Sequence, residues 1–347
     1  MIDPAVNVLP LLACPHDALD LNQEGRVLRC RNGHAFPIVQ GVPVLLRSDV
    51  PQTIGLASDS LRLAWAAVEG SNDDPWFIET LGIAEQVKRD LRVQQAGAAG
   101  ATDPVVSYLI GATNGILYKH LVGSLREYPI PEIRLPIVDG KRLLDIGCNW
   151  GRWCFAAARR GYVPVGIDPS LGAVLAAKRV AQSLGLPFEG VVGDTRFLPF
   201  RSKTFDVTFS YSVLQHFSKA DACTALREMR RVLSPDGSFL VQMASAFGLR
   251  SLQHQIKRGF REPIEFEVRY WTPGELLEAF HDTFGATQME VDCYFGLGLQ
   301  MSDLQMMGKG KRAIIYCSEG LRRLSRFLRP LSYLADSLYF RSAAGRM

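Results

Sequence analysis

Residues 141–168, KRLLDIGCNWGRWCFAAARRGYVPVGID, read as a strand, a glycine-bearing turn, a helix and a second strand ending in an acid. No other stretch restricts the fold as tightly. Leu143, Leu144 and Ile146 form the short apolar run of a buried parallel strand. Gly147 and Gly151 let the backbone approach a ligand where a Cβ would collide. A helix from about Arg152 aims its free N–H groups at the same spot. Asp168 falls at the tip of the second strand, where a carboxylate can accept both hydroxyls of a ribose.

That layout suits any nucleotide-like cofactor, and the spacing narrows it. A dinucleotide fingerprint needs G-x-G-x-x-G. Here Asp145, Gly147, Asn149 and Gly151 alternate, with the acid two residues before the first glycine. A carboxylate there repels a pyrophosphate and suits a cationic amino-acid group. The pattern resembles D-x-G-x-G-x-G, the first motif of the class I S-adenosylmethionine (SAM) methyltransferases. Asn149 replaces the middle glycine, and Asn tolerates positive φ better than most residues.

Later segments follow in that family's order. Phe188 to Val192 reads as a third strand, followed by Gly193-Asp194-Thr195. Thr204 to Ser212 reads as a fourth, followed by the loop Val213-Leu214-Gln215-His216-Phe217. A helix from about Ala220 to Leu233, a turn at Ser234-Pro235-Asp236-Gly237 and a fifth strand, Ser238 to Met243, come next. This order is similar to the type 11 branch of those methyltransferases over roughly residues 115–318.

The resemblance implies an α/β fold, Rossmann-like and doubly wound on a seven-stranded sheet, with SAM as cofactor and S-adenosylhomocysteine as product. It implies cofactor contacts from Asp145, Gly147, Cys148, Asn149 and Gly151 in the turn. Asp168, Pro169, Thr195 and Ser210 complete the set, and Asp194 would face the adenine amino group. Methyl transfer itself needs alignment and a place for the acceptor's proton. His216, after the fourth strand, is the candidate base; Tyr211 and Gln215 are candidates to position the acceptor. Cys148 and Cys154 also read as buried packing residues.

Near the N-terminus, Cys14, Asp17, Cys30 and His34 are spaced Cys-x2-Asp-x12-Cys-x3-His. With Phe36 to Leu46 after it, the segment over about residues 8–47 resembles a small zinc-ribbon module, the kind found in the activator subunit of tRNA methyltransferases. A related knuckle precedes the methyltransferase domain in large-subunit rRNA guanine methyltransferases. Asp17 stands where a third cysteine is usual. Zinc accepts carboxylate oxygen, so the four residues can hold structural Zn2+. A ribbon folded on its apolar core without metal is the alternative.

The domain plan expected is 1–47 ribbon-like module, 48–114 helical linker and cap, 115–318 methyltransferase domain and 319–347 basic amphipathic helical tail. Gln95 to Ala101 reads as a linker. Trp65, Trp76, Tyr108 and Tyr118 are candidates to line a pocket or simply to pack. Lys311 to Cys317 reads as the last strand. After it Leu321, Leu324, Leu328, Leu331, Ala335 and Leu338 recur every three or four residues, an amphipathic helix divided at Pro330. The basic residues beside that stripe suit self-packing, a homodimer or an anionic membrane surface. Residues 245–275 form an insertion, where His254, Lys257, Arg258 and Arg261 can hold an anionic acceptor.

Seven scattered cysteines and a poor signal sequence point to reduced thiols and a cytoplasmic protein, peripheral at the inner membrane surface if the tail binds lipid. From Lys309 onward nine basic residues face two acidic ones, so the remaining body is net negative. That body disfavours an RNA-coating surface, and an N/D-P-P-Y motif is absent at Ser210-Tyr211-Ser212-Val213. The reading is therefore a methyltransferase for a small-molecule or lipid/glycan-linked acceptor, at oxygen or nitrogen. The alternatives are an rRNA or tRNA base methyltransferase using the N-terminal knuckle, and a non-catalytic module that binds SAM or a partner.

Overall fold

A computed structural model describes residues 6–94, 102–113, 115–296, 298 and 300–343. The linker expected at Gln95–Ala101 lies outside the described residues. The chain divides into two compact units, Met1–Phe205 and Asp206–Met347.

The first unit begins with a four-stranded antiparallel sheet of β1 (Leu21–Glu24), β2 (Val27–Cys30), β3 (Ala35–Val39) and β4 (Val42–Pro43). Helices α1 (Gly55–Glu69), α2 (Glu85–Gln94) and α3 (Pro104–Thr113) follow. Then come β5 (Arg142–Ile146), α4 (Arg152–Ala158), β6 (Val163–Asp168), α5 (Leu171–Leu184) and β7 (Glu189–Val192). Strands β5, β6 and β7 are parallel, in that order. The expected strand, helix and strand around the glycine turn are therefore present. Ser170 caps α5 by accepting from the Ala173 N–H, and Gly185 ends it in the left-handed region.

The small sheet is joined to the edge of β7. The Leu45 N–H donates to the Val192 carbonyl at 2.7 Å, and Val44 bridges Val192 in parallel. One apolar core runs through Val39, Val44 and Leu46, then Ala57 and Phe77, then Leu171, Val174 and Val192. Burial of these side chains from three segments ties ribbon, cap and cofactor-type strands together.

The second unit contains β8 (Phe205–Tyr211), α6 (Lys219–Val232), β9 (Leu233–Ala244), α7 (Leu249–Lys257), α8 (Pro273–Phe284), β10 (Thr287–Cys293), α9 (Lys309–Leu324) and β11 (Ser337–Ser342). A capping box of Thr272 and Glu275, with Pro273 at the first turn, starts α8. The large sheet has seven strands: β5, β6 and β7 of the first unit, and β10-β11-β9-β8, in that order, of the second. The Rossmann-like α/β class expected from sequence is thus observed. Among the described residues no helix is long and apolar enough to cross a membrane.

Three expectations are corrected. Lys311–Cys317 is not a strand but part of α9. Of its apolar run Ile314 and Tyr316 are exposed, while Ile315 and Ser318, three residues apart, are buried. The helical tail ends at Leu324; a short 3-10 segment, Arg329–Leu334, follows, and Ser337–Ser342 is a strand. β11 lies between β9 and β10, antiparallel to both, so Leu338, Tyr339 and Phe340 are buried on both faces and read as a continuous apolar run. That run mimics a helical repeat when spliced onto the leucines before it. Finally, Ser234–Gly237 belongs to β9 rather than to a turn.

Candidate functional site

In the first unit three carboxylates stand at or beyond the carboxyl ends of three successive parallel strands: Asp145 on β5, Asp168 on β6 and Asp194 after β7. Open α/β sheets place ligands at such an edge. The turn after β5 has the expected unusual backbone, with φ of 72° at Gly147, 48° at Asn149 and 83° at Gly151. Asn149 does occupy the left-handed region in place of glycine. Its side chain steadies the turn by accepting the Trp150 N–H at 2.8 Å. A Cβ on Gly151 would meet the Phe155 ring at 2.8 Å, so close packing adds to the demand for glycine.

Asp168 ties the turn to the next helix. Its Oδ2 accepts the Asn149 N–H and its Oδ1 the Ser170 N–H, both at 2.9 Å. Burial pushes its carboxyl up to about 6 against these two donors. Asp145 is more deeply buried and is pushed up to about 7, chiefly by burial, with the Cys154 thiol donating to it at 3.2 Å. Cys148 and Cys154 are both buried, and burial pushes the Cys148 thiol up to about 11. These are packed thiols, not nucleophiles.

Asp194 caps the 3-10 turn Thr195–Phe197 and is held by the Arg196 guanidinium at 2.7 Å. Any amino donor reaching Asp194 shares the carboxylate with that arginine. Pro169 precedes the cap of α5, and Thr195 is buried beside Asp194. The segment before β5 approaches this edge directly. The Ser170 hydroxyl donates to the Thr80 carbonyl at 2.6 Å, and the Ser60 hydroxyl accepts the Leu171 N–H at 3.0 Å. Of the aromatic candidates, Tyr118 is fully buried and Trp76 lies under the Arg179 guanidinium at 4.6 Å.

In the second unit Ser210 is buried on β8. His216 stacks on Phe266 with ring centroids 4.0 Å apart, and its Nδ1 lies 2.7 Å from the Phe266 carbonyl. That carbonyl can only accept, so Nδ1 carries the proton. Burial pushes the imidazole down to about 4, so the ring is neutral at pH 7. Arg269 braces this loop: its Nη1 donates to the His216 carbonyl at 2.5 Å and its N–H to the Gln215 carbonyl at 2.7 Å. The Gln215 side chain accepts the Ala244 N–H at 3.0 Å.

Tyr211 does not present a free hydroxyl. It donates to Asp292 at 2.8 Å, and burial holds the phenol well above its ordinary range. Asp292 also accepts from Ser337, which accepts from Gln242, whose Oε1 takes the Ser212 N–H and hydroxyl. Sequence reading missed this buried chain. Its one local signal is an acid inside the apolar run Val291-Asp292-Cys293.

Cys14, Asp17, Cys30 and His34 do come together, with one ligand atom from each within 4.8 Å of the others. His34 Nδ1 lies 3.5 Å from Cys14 Sγ, 3.3 Å from Cys30 Sγ and 3.2 Å from Asp17 Oδ2. Asn32 donates to Asp17 at 2.8 Å, and His16 stacks on His34 with centroids 4.1 Å apart. Four N, O and S donors at this spacing fit a tetrahedral metal such as zinc.

Residues 143–237 match the sequence model of a methyltransferase domain family. A ubiquinone biosynthesis O-methyltransferase of Azorhizobium caulinodans is 29% identical over 38% of this chain and 49% of its own. A fatty-acid O-methyltransferase of Mycolicibacterium smegmatis is 34% identical over 30% of this chain and 37% of its own. A solved SAM-dependent methyltransferase from Mesorhizobium loti covers 60% of this chain and 92% of its own at 19% identity, with a TM-score of 0.40. The match spans 49% and 37% of the length of these two curated relatives, and less than two thirds of others like them. The stretch from β5 through α6 is thus similar to methyltransferase domains.

Proposed function

We propose that the chain is a SAM-dependent methyltransferase acting on oxygen or nitrogen of a small-molecule or lipid/glycan-linked acceptor. The observation that carries this reading is the set of three carboxylates at the edge of β5, β6 and β7 beside a left-handed turn that has no basic residue before Arg152. That donor set fits a cationic, ribose-bearing ligand and opposes a pyrophosphate. Asp168 would hold the ribose, Asp145 would favour the cationic amino-acid end, and Gly147 to Gly151, whose N–H groups are taken within the protein, would let the backbone pass close to the ligand. Asp194 with Thr195 would flank the adenine. The cofactor supplies a methyl group on a sulfonium and leaves as S-adenosylhomocysteine.

The chain's own residues then align the acceptor and receive its proton. His216, neutral at pH 7, is the proposed acceptor of that proton. Tyr211, bound to Asp292, would position the loop. One relative is named for a fatty-acid acceptor and another for ubiquinone biosynthesis, which supports the acceptor class. Cys14, Asp17, Cys30 and His34 would hold structural Zn2+, since all four positions come from protein. Elemental analysis then finds one zinc per chain, lost in Cys30→Ser; a metal-free native protein excludes it.

The test of function is methyl transfer from isotope-labelled SAM into a fractionated cell extract, with Asp145→Ala as blank. Label in the lipid or small-molecule fraction, reduced in His216→Ala, is the expected result. Label in RNA would move the ribbon to substrate binding, and no label anywhere would leave a SAM-binding module without turnover.

A further inference from the structure

Helix α7 has its polarity reversed. Ser251 is 4% exposed and its N–H donates to Asp336 at 2.8 Å, while Gln255 donates to the Ala246 carbonyl. Its apolar residues face the other way: Leu249 is 68% exposed and Ile256 58%, and Phe260 just beyond is 64% exposed. A helix that packs only on its own body buries the apolar stripe instead. The surplus apolar face needs a partner outside the described residues.

A second segment of the same kind lies nearby in the same unit. After α9, Phe327 is 85% exposed, with Leu328 and Leu334 also exposed. Both segments leave the same end of the sheet. Asp336, which holds α7, pairs its carbonyl with the Ser245 N–H at the end of β9, and Tyr294, just after β10, donates to the Leu331 carbonyl at 2.9 Å. Neither residues 247–260 nor residues 323–334 contain an Asp or Glu. They contribute Arg250 and Lys257, and Arg326 and Arg329; Arg258 and Arg323 are paired with Glu267 and Glu319, just outside these segments.

We propose that segments 247–260 and 323–334 form a docking surface for an anionic lipid bilayer. Apolar side chains flanked by basic ones, without acids, match the two components of such an interface: the acyl boundary and the negative headgroups. A protein partner with a neutral groove would leave Lys257, Arg326 and Arg329 without a counter-charge of its own. The proposal keeps lipid contact at the turn after α9, within the basic stripe read from sequence, adds α7, and leaves out β11 (Ser337–Ser342). It does not depend on methyl transfer.

The experiment is sedimentation of the full chain with vesicles of phosphatidylcholine alone or mixed with phosphatidylglycerol. Retention on the anionic vesicles only, weakened by salt, is expected. The double substitution Leu249→Ser and Ile256→Ser should lower retention about tenfold, and Phe327→Ser should lower it independently. These positions are exposed, so unchanged circular dichroism and unfolding midpoint confirm the fold. Asp168→Ala, in the first unit, should retain full vesicle binding, which separates this surface from the cofactor reading. Absence of anionic retention, or retention unchanged in both variants, overturns the proposal. So does a dimer in solution that these substitutions split, because the face then belongs to a second copy.

Discussion

The two units build their polar groups in opposite ways. In the first, Asp145, Gly147, Asn149, Gly151 and Asp168 lie within one strand–turn–helix–strand segment, and the hydrogen bonds that organise the turn stay inside that segment, as from the Gly147 N–H to the Ile167 carbonyl and from the Asn149 N–H to Asp168. In the second, Tyr211, Gln242, Asp292 and Ser337 meet from four strands, with partners up to 95 residues apart. A local arrangement is written in spacing; a non-local one exists only once the sheet has formed. The contrast also separates chemistry. Local carboxylates at a strand edge suit binding, whereas the buried chain of the second unit fixes the sheet beneath its loops.

The sharpest way to break that contrast is at β11. Phe340→Ala removes a fully buried ring that stacks on Phe280 at 4.7 Å. It should cost ~3–5 kcal/mol of stability in denaturant unfolding. A loss below about 1 kcal/mol would mean the segment is not held in the sheet.

Next in size is Asp168→Ala, which unties the Asn149 and Ser170 N–H groups and removes the proposed ribose ligand. SAM affinity should fall by ~1.5–3 kcal/mol in titration calorimetry. An unchanged dissociation constant would remove Asp168 from the ribose. The smallest effect is expected for Tyr211→Phe, which leaves Asp292 with Ser337 as a remaining donor. It should cost ~0.5–1.5 kcal/mol of stability and leave SAM affinity alone. If SAM affinity fell instead while stability held, the division of labour between the units would be wrong.

The same contrast explains what was readable in advance. β5, α4, β6 and β7 were legible because apolar runs, glycines and an acid alternate within short distances. Asn149 was legible because its backbone tolerance is a property of the residue. Cys14, Asp17, Cys30 and His34 were legible as a cluster because two short knuckles face each other across one hairpin. α9 was misread because three adjacent apolar residues, Ile314 to Tyr316, look like a strand, and only the packing shows that one of them is buried. β11 was misread because a strand buried on both faces has no alternation to declare it. Arg269, which pins the His216 loop through carbonyls, left no spacing signal, since its partners are backbone atoms.

The most direct test of the account is the pH dependence of SAM binding to the full chain, measured by calorimetry between pH 5.5 and 8. Burial raises Asp145 to about 7 and Asp168 to about 6, so the ligand-free chain holds protons on these carboxyls as pH falls. A bound cation and ribose hydroxyls favour the carboxylates, so binding must expel those protons. One-to-one binding that weakens as pH drops from 8 to 5.5, with protons released to the buffer, is the predicted result. No binding, or an affinity that is flat or improves at low pH, would contradict the cofactor site at β5 and β6.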